Sequence, residues 1–116
     1  MPPRHRVLLL VLLVVCSAFS ACVSLGLGNV RYDGSTLHVR ASNSGNARDA
    51  AIQVTVFQVR DLSQAEVVTR TVPITLLPGD HEYTVPLALP AGSYKLYLYL
   101  IVDNDRKASV IRDITV

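Results

Sequence analysis

Beyond residue 22 the chain carries two histidines, His38 and His81, and no cysteine. An imidazole acts as a general base only within hydrogen-bond reach of a hydroxyl or thiol, with a third group orienting it. Both histidines instead stand in alternating, strand-like stretches, with no nucleophile pattern, zinc spacing, glycine-rich phosphate loop or paired-carboxylate signature around them. A lone strand histidine is ordinarily a surface or partly buried residue, so no catalytic residue and no metal ligand is assigned. Asp103-Asn104-Asp105 presents three oxygen-bearing side chains of the kind that bind calcium, but a tight hairpin turn selects the same residue types. Turn formation is the simpler account, and no cofactor is assigned.

The thiol of Cys22 points to a different chemistry. Phe19-Ser20-Ala21-Cys22 resembles a lipobox, in which small residues precede a cysteine whose sulfur receives a diacylglyceryl group. Phe19 stands where that pattern usually has leucine and keeps its bulky apolar character. Upstream, Arg4, His5 and Arg6 form a positive segment ahead of the unbroken apolar run Val7 to Val15, which is the anatomy of a secretory signal. Nine apolar residues fall far short of the ~20 that span a bilayer as a helix, although continuing through Cys16 to Val23 lengthens the stretch. Three outcomes stay open: lipidation at Cys22, plain secretion after a cut beyond Ser20, and an uncleaved anchor. In each, the arginines stay on the cytoplasmic side and the residues beyond 22 face out.

Cys16 and Cys22 are the only cysteines, and both lie at the end of this segment. A single leftover thiol on an exported domain would be reactive in an oxidising space, and acylation removes it. The expectation is a signal peptide over residues 1–21 and a single β-sandwich domain over 22–116, extracytoplasmic and held to the membrane through a lipid on Cys22. Strand-like sequence begins at Val23, so the tether is short.

Of 116 residues, the first 21 belong to the signal, which leaves 95 for the domain. A domain of that size buries only roughly 60–65% of the surface its unfolded chain exposes, leaving little room for a large ligand cavity. The 11 basic and 9 acidic residues of the whole chain become 9 and 9 once Arg4 and Arg6 leave with the signal. A neutral domain without a basic patch argues against nucleic acid as a partner.

Period-two alternation dominates the rest, and no amphipathic helix stands out. Val23, Leu25 and Leu27 suggest a first strand, with a turn at Asp33-Gly34. Leu37, Val39 and Ala41 alternate with His38, Arg40 and Ser42 in a second; Asn43-Ser44-Gly45-Asn46 is loop chemistry. Ile52, Val54 and Val56 give the inward face of a third strand, and a fourth lies within 66–72. Leu77-Pro78-Gly79-Asp80 turns into a fifth, marked by Tyr83, Val85 and Leu87. The sixth, Ser93 to Val102, sends Tyr94, Leu96, Leu98, Leu100 and Val102 inward, and a last strand runs from about Ala108 to Val116. Because proline cannot donate to a ladder, Pro73 and Pro86 mark edge strands or strand ends. Seven short antiparallel strands with turns about every ten residues predict an all-β, immunoglobulin-like two-sheet sandwich.

The order Asn43-Ser44-Gly45-Asn46-Ala47, Ala50 to Val56, Leu77-Pro78-Gly79 and Ala91-Gly92-Ser93-Tyr94-Lys95-Leu96 resembles the CARDB and fibronectin type III-like extracellular modules over roughly residues 35–116. The resemblance implies that the fifth strand is an edge of the smaller sheet. It also implies that Tyr94 is the tyrosine corner, with its ring buried and its hydroxyl bonded to backbone near the preceding turn. The motifs specify fold more than function.

With Tyr94 and the leucines inward, Tyr97, Tyr99 and Ile101 point outward, as do Phe57 and Val59 on the third strand, and Ile111 joins from the seventh. Such a cluster suits an interaction face, since tyrosine offers contact area at low entropic cost. Cross-strand aromatic pairing that merely stabilises a solvated sheet is the plainer account. The functional expectation is a membrane-tethered lipoprotein whose non-catalytic sandwich binds or scaffolds a protein or envelope-polymer partner. The competing class is a small hydrolase or metal-dependent enzyme, which needs a pocket joining His38 or His81 to Asp or Ser residues.

Overall fold

Alternation becomes seven strands in the computed structural model, which describes residues 23–116. They are β1 (Leu25–Tyr32), β2 (Thr36–Asn43), β3 (Arg48–Arg60), β4 (Ser63–Leu76), β5 (Gly79–Pro86), β6 (Ser93–Val102) and β7 (Asp105–Thr115). All pairings are antiparallel. A three-stranded sheet runs β1-β2-β5 and a four-stranded sheet runs β4-β3-β6-β7. Residues 1–21, expected to be a signal peptide, and Cys22 lie outside the described residues.

The core forms where the inward residues of the two sheets meet. Leu37 and Val39 from β2 and Val85 from β5 face Ile52, Val54 and Val56 of β3 and Leu96, Leu98 and Leu100 of β6, all fully buried. Full burial of such a side chain contributes about 1.5–3 kcal/mol, so β3 and β6, central in their sheet, dominate the packing. Both proline-bearing strands are edges: β5 borders the smaller sheet and ends at Pro86, and β4 borders the larger one. Pro73 sits within β4 opposite Ala51, an interior position that an edge strand permits.

Several strands are longer than alternation alone predicts. β4 extends from Ser63 to Leu76 because thirteen residues of β3 pair with it, although most of its side chains are exposed. β1 runs on to Tyr32 through a register shift between Leu27 and Val30, and β7 starts at Asp105 through one opposite Leu100 and Ile101.

Three of the five tyrosines staple loops to the sheets. Tyr94 is 2% exposed and its hydroxyl donates to Pro90 O at 2.7 Å, beneath a turn in which Gly92 and Val116 exchange backbone hydrogen bonds. Tyr32 donates to Gly34 O at 2.8 Å and accepts from Leu89 N at 2.9 Å. The Tyr83 hydroxyl accepts from Leu77 N at 2.9 Å.

The register also sorts the loops into two ends. Leu25 pairs with Asn43, and Asn43 with Gly79, so residues 23–24 share one end with the loops 44–47 and 77–78 and the turn at 103–104. The β1–β2 turn, the β3–β4 turn at Asp61-Leu62, the segment 87–92 and Val116 lie at the other.

Candidate functional site

The remaining two tyrosines, Tyr97 and Tyr99, occupy the outer face of the four-stranded sheet, and their hydroxyls make no hydrogen bond to another described residue. They point outward because Leu96, Leu98 and Leu100, at alternate positions of β6, fill the core. Tyr97 stands between Thr55 of β3 and Ile111 of β7, and Tyr99 between Gln53 and Ser109. Phe57, one step along β3, meets Tyr97 edge to face, with ring centroids 5.3 Å apart and planes at 77°. Such a pair contributes about 0.5–1.5 kcal/mol beyond its buried area, and it fixes both rings on the surface.

The other predicted members of the face are placed unevenly. Ile101 is half-buried between Ala51 and Arg106, and Ile111 is 54% exposed. Val59 lies two residues beyond Phe57, opposite Gln64 and toward the β3–β4 turn. The result is a diagonal apolar band crossing β3, β6 and β7, interleaved with Gln53, Thr55 and Ser109. Its charged margin is internally balanced: Lys95 Nζ lies 3.8 Å from Asp113 Oδ1, and Lys107 Nζ 3.8 Å from Asp105 Oδ2.

Arg106 is a member that sequence reasoning missed. Its guanidinium carbon lies 4.0 Å from the Tyr99 ring centroid, so a cation covers one face of that ring. Tracing the pairing back from a two-residue turn at Asp103-Asn104 places Arg106 opposite Ile101, a signal available once the turn length is known.

The outer face of the three-stranded sheet holds a polar network. His38 Nδ1 lies 2.9 Å from Glu82 Oε1, and its Nε2 lies 2.8 Å from Asp33 Oδ2. Arg31 Nη2 approaches the same Glu82 oxygen at 3.6 Å. The His38 contact, followed by hydrogen bonds from the backbone N–H groups of Ser35 and Thr36, holds the Asp33 carboxyl well below the usual carboxylate range. Each ring nitrogen of His38 is thus engaged by a carboxylate oxygen. The two carboxylates sit on opposite ring nitrogens rather than converging, and no group of three or more ligand side chains suited to a metal occurs among the described residues.

His81 is apart from this network, its Nε2 2.8 Å from Pro78 O. Asp103 and Asn104 have φ of 54° and 63°, the backbone of a two-residue hairpin loop that Asn and Asp tolerate. They line one end of a recess of about 250 Å³ with Asp49, Ala50, Ala51 and Ile101. Two further recesses, of about 200 and 250 Å³, share Ser42 and Asp80 on the smaller sheet. His38 and His81 line none of the three.

No protein-family model matches this chain, and no curated protein matches it. Among solved structures it is similar to a chain assigned as a β-galactosidase from Bacteroides fragilis, with 18% identity and a TM-score of 0.56 over 79% of this chain. It is also similar to β-glucosidase 3B from Thermotoga neapolitana in complex with glycerol, with 20% identity and a TM-score of 0.44 over 81% of this chain. The chain spans only 16% of the length of each. At these identities the first likeness shows a shared strand arrangement, and the second adds nothing to it.

Proposed function

We propose that this chain is an exported lipoprotein, tethered to the membrane through acylated Cys22, whose β-sandwich acts without catalysis by binding a protein partner on its aromatic sheet face. Kinship with CARDB and fibronectin type III-like modules belongs to this proposal. The observation that carries it is the diagonal band of Phe57, Tyr97, Tyr99, Ile101 and Ile111, held in register on β3, β6 and β7 and backed by the core. Rigid aromatic side chains with unused hydroxyls combine apolar contact area with hydrogen-bonding capacity at low entropic cost.

The deciding experiment replaces Tyr97 and Tyr99 together with serine and measures cross-linked partner capture from cells. Both side chains face outward, so the melting transition stays cooperative and the captured species is lost. Unchanged capture would sink the aromatic face as the binding surface. An envelope polymer in place of a protein shows itself as capture that survives protease digestion of the lysate.

The enzyme reading has the Asp33–His38–Glu82 network as its one specific observation. Two carboxylates on one imidazole suit a structural clasp better than a base, and no hydroxyl among the described residues hydrogen-bonds to the ring. A hydrolytic activity lost on His38→Ala at unchanged stability would carry the enzyme reading instead.

A further inference from the structure

We propose that the end of the sandwich formed by Val23, the 44–47 loop and Leu77-Pro78 is a docking surface that rests on the lipid bilayer. This inference depends on membrane attachment through the residues preceding Val23, whether by acylated Cys22 or by an uncleaved apolar segment.

The first described residues are fastened to the sheet rather than joined by a flexible linker. Ser24 N donates to Ser44 Oγ at 2.7 Å, and Ser44 N donates back to Ser24 O at 3.0 Å. Val23 packs against Gly45 so closely that a Cβ at that glycine would meet the two Val23 Cγ atoms at 2.9 and 3.0 Å. A linker of several glycine or serine residues would let a tethered domain turn freely. Here the position of Cys22, one residue before Val23, leaves almost no free chain between an anchor and this clasp, so the anchored end and the bilayer are held together.

The chemistry of this end fits that neighbour. Val23 and Leu77 are 44% and 43% exposed, large apolar side chains left uncovered on either side of the 44–47 loop. Neither Ser44-Gly45-Asn46-Ala47 nor Leu77-Pro78 contains a charged residue. The cation at this corner is Arg48, whose Nη2 would lie 3.3 Å from a Cβ at Gly45 and is therefore adjacent to Val23. Exposed apolar groups beside a guanidinium match the boundary between acyl chains and phosphate headgroups. Of the carboxylates at this end, Asp49 and Asp103 line a recess on the larger-sheet side, and Asp80 lines one with Ser24 and Ser44 on the smaller-sheet side. The β3–β4 turn, with Leu62 fully exposed, then projects from the opposite end, away from the surface.

The test uses the full chain, produced with its own signal, in two forms carrying Leu77→Cys or Leu62→Cys. Each is labelled with an environment-sensitive fluorophore in vesicles of phosphatidylethanolamine and phosphatidylglycerol. Quenching by aqueous iodide and by headgroup-nitroxide lipid is compared, and the mass of the mature N-terminus is read on the same sample. The docked orientation makes position 77 several-fold less accessible to iodide than position 62, and only 77 is quenched by the nitroxide. Equal accessibility in a protein shown to be acylated or uncleaved overturns the docking surface while the anchor stands. A free, unacylated N-terminus without vesicle binding removes the anchor and the docking surface together.

Discussion

Asn43 Nδ2 donates to Leu76 O at 3.2 Å, linking the end of β2 to the end of β4 across the interior of the sandwich. The same amide donates to Asn46 O at 2.9 Å, and Asn43 Oδ1 accepts from Gly45 N at 2.9 Å. Asn43 is 1% exposed, and one carboxamide thus satisfies three backbone groups, two in the 44–47 loop and one at the end of β4.

Replacing Asn43 with alanine strands those groups, and we expect it to cost about 2–4 kcal/mol, read from denaturant unfolding at constant m. Asn43→Asp separates hydrogen bonding from packing. An aspartate of nearly identical shape still accepts from Gly45 N but cannot donate to two carbonyls, so it destabilises at least as much as alanine. An aspartate variant as stable as the parent would show that the amide donors contribute nothing.

The loop role of Asn43 was legible because Asn-x-Gly is turn chemistry, but its burial was not, since that depends on where Leu76 ends an edge strand. The central strands were legible for a local reason: Ile52, Val54 and Val56 of β3 and the even-numbered residues of β6 from Tyr94 to Val102 fill the core at every second position. β4 is an edge with most of its side chains solvated, so the segment from Ser63 to Glu66 gave no periodic signal. Within the candidate face, the outward parity of Tyr97, Tyr99 and Phe57 follows from alternation alone. The Phe57–Tyr97 contact and the Arg106 cover depend on strand pairing, and the His38 network depends on a residue 44 positions away.

The Asp33 clasp carries a pH dependence whose sign follows from its depressed folded-state pKa. Its stabilisation is fully present above the ordinary aspartate value of 3.8 and is lost as pH falls below it. Asp33 is solvent-exposed, so the effect is small, and it is best read as a difference between two proteins. On acidification through that value, the melting temperature of the parent falls further than that of Asp33→Asn. Parallel losses in the two proteins would show that the His38 and backbone contacts of Asp33 do not act on stability.

At the β6–β7 turn, backbone conformation accounts for Asp103 and Asn104 without an ion. Valine in place of Asn104 must adopt φ near 63° against its β-branch, which we expect to cost about 1–2 kcal/mol, whereas glycine there is neutral or stabilising. Calcium in place of a chelator leaves the melting temperature of the parent unmoved, since only a ligand bound to the folded state raises it. A calcium-dependent rise abolished by Asp103→Asn would replace the turn account with an ion site.

Processing at Cys22 is the prediction on which the membrane proposals depend, and two cysteine variants discriminate its alternatives. Acylation at Cys22 gives a mature N-terminal mass carrying a diacylglyceryl group, and two acyl chains hold a protein firmly where one is marginal. Cys16→Ser then leaves both that mass and the membrane fraction unchanged, because Val14 and Val15 precede Cys16 and suit a signal peptidase poorly. Cys22→Ser loses the acyl mass and either releases the domain to the soluble fraction or retains the uncleaved chain, and its N-terminal mass tells which. A parent protein that begins at a free Ala21 would show plain secretion after a cut beyond Ser20. Two exposed apolar residues, Val23 and Leu77, would then remain at an end of the sandwich with no bilayer to meet them.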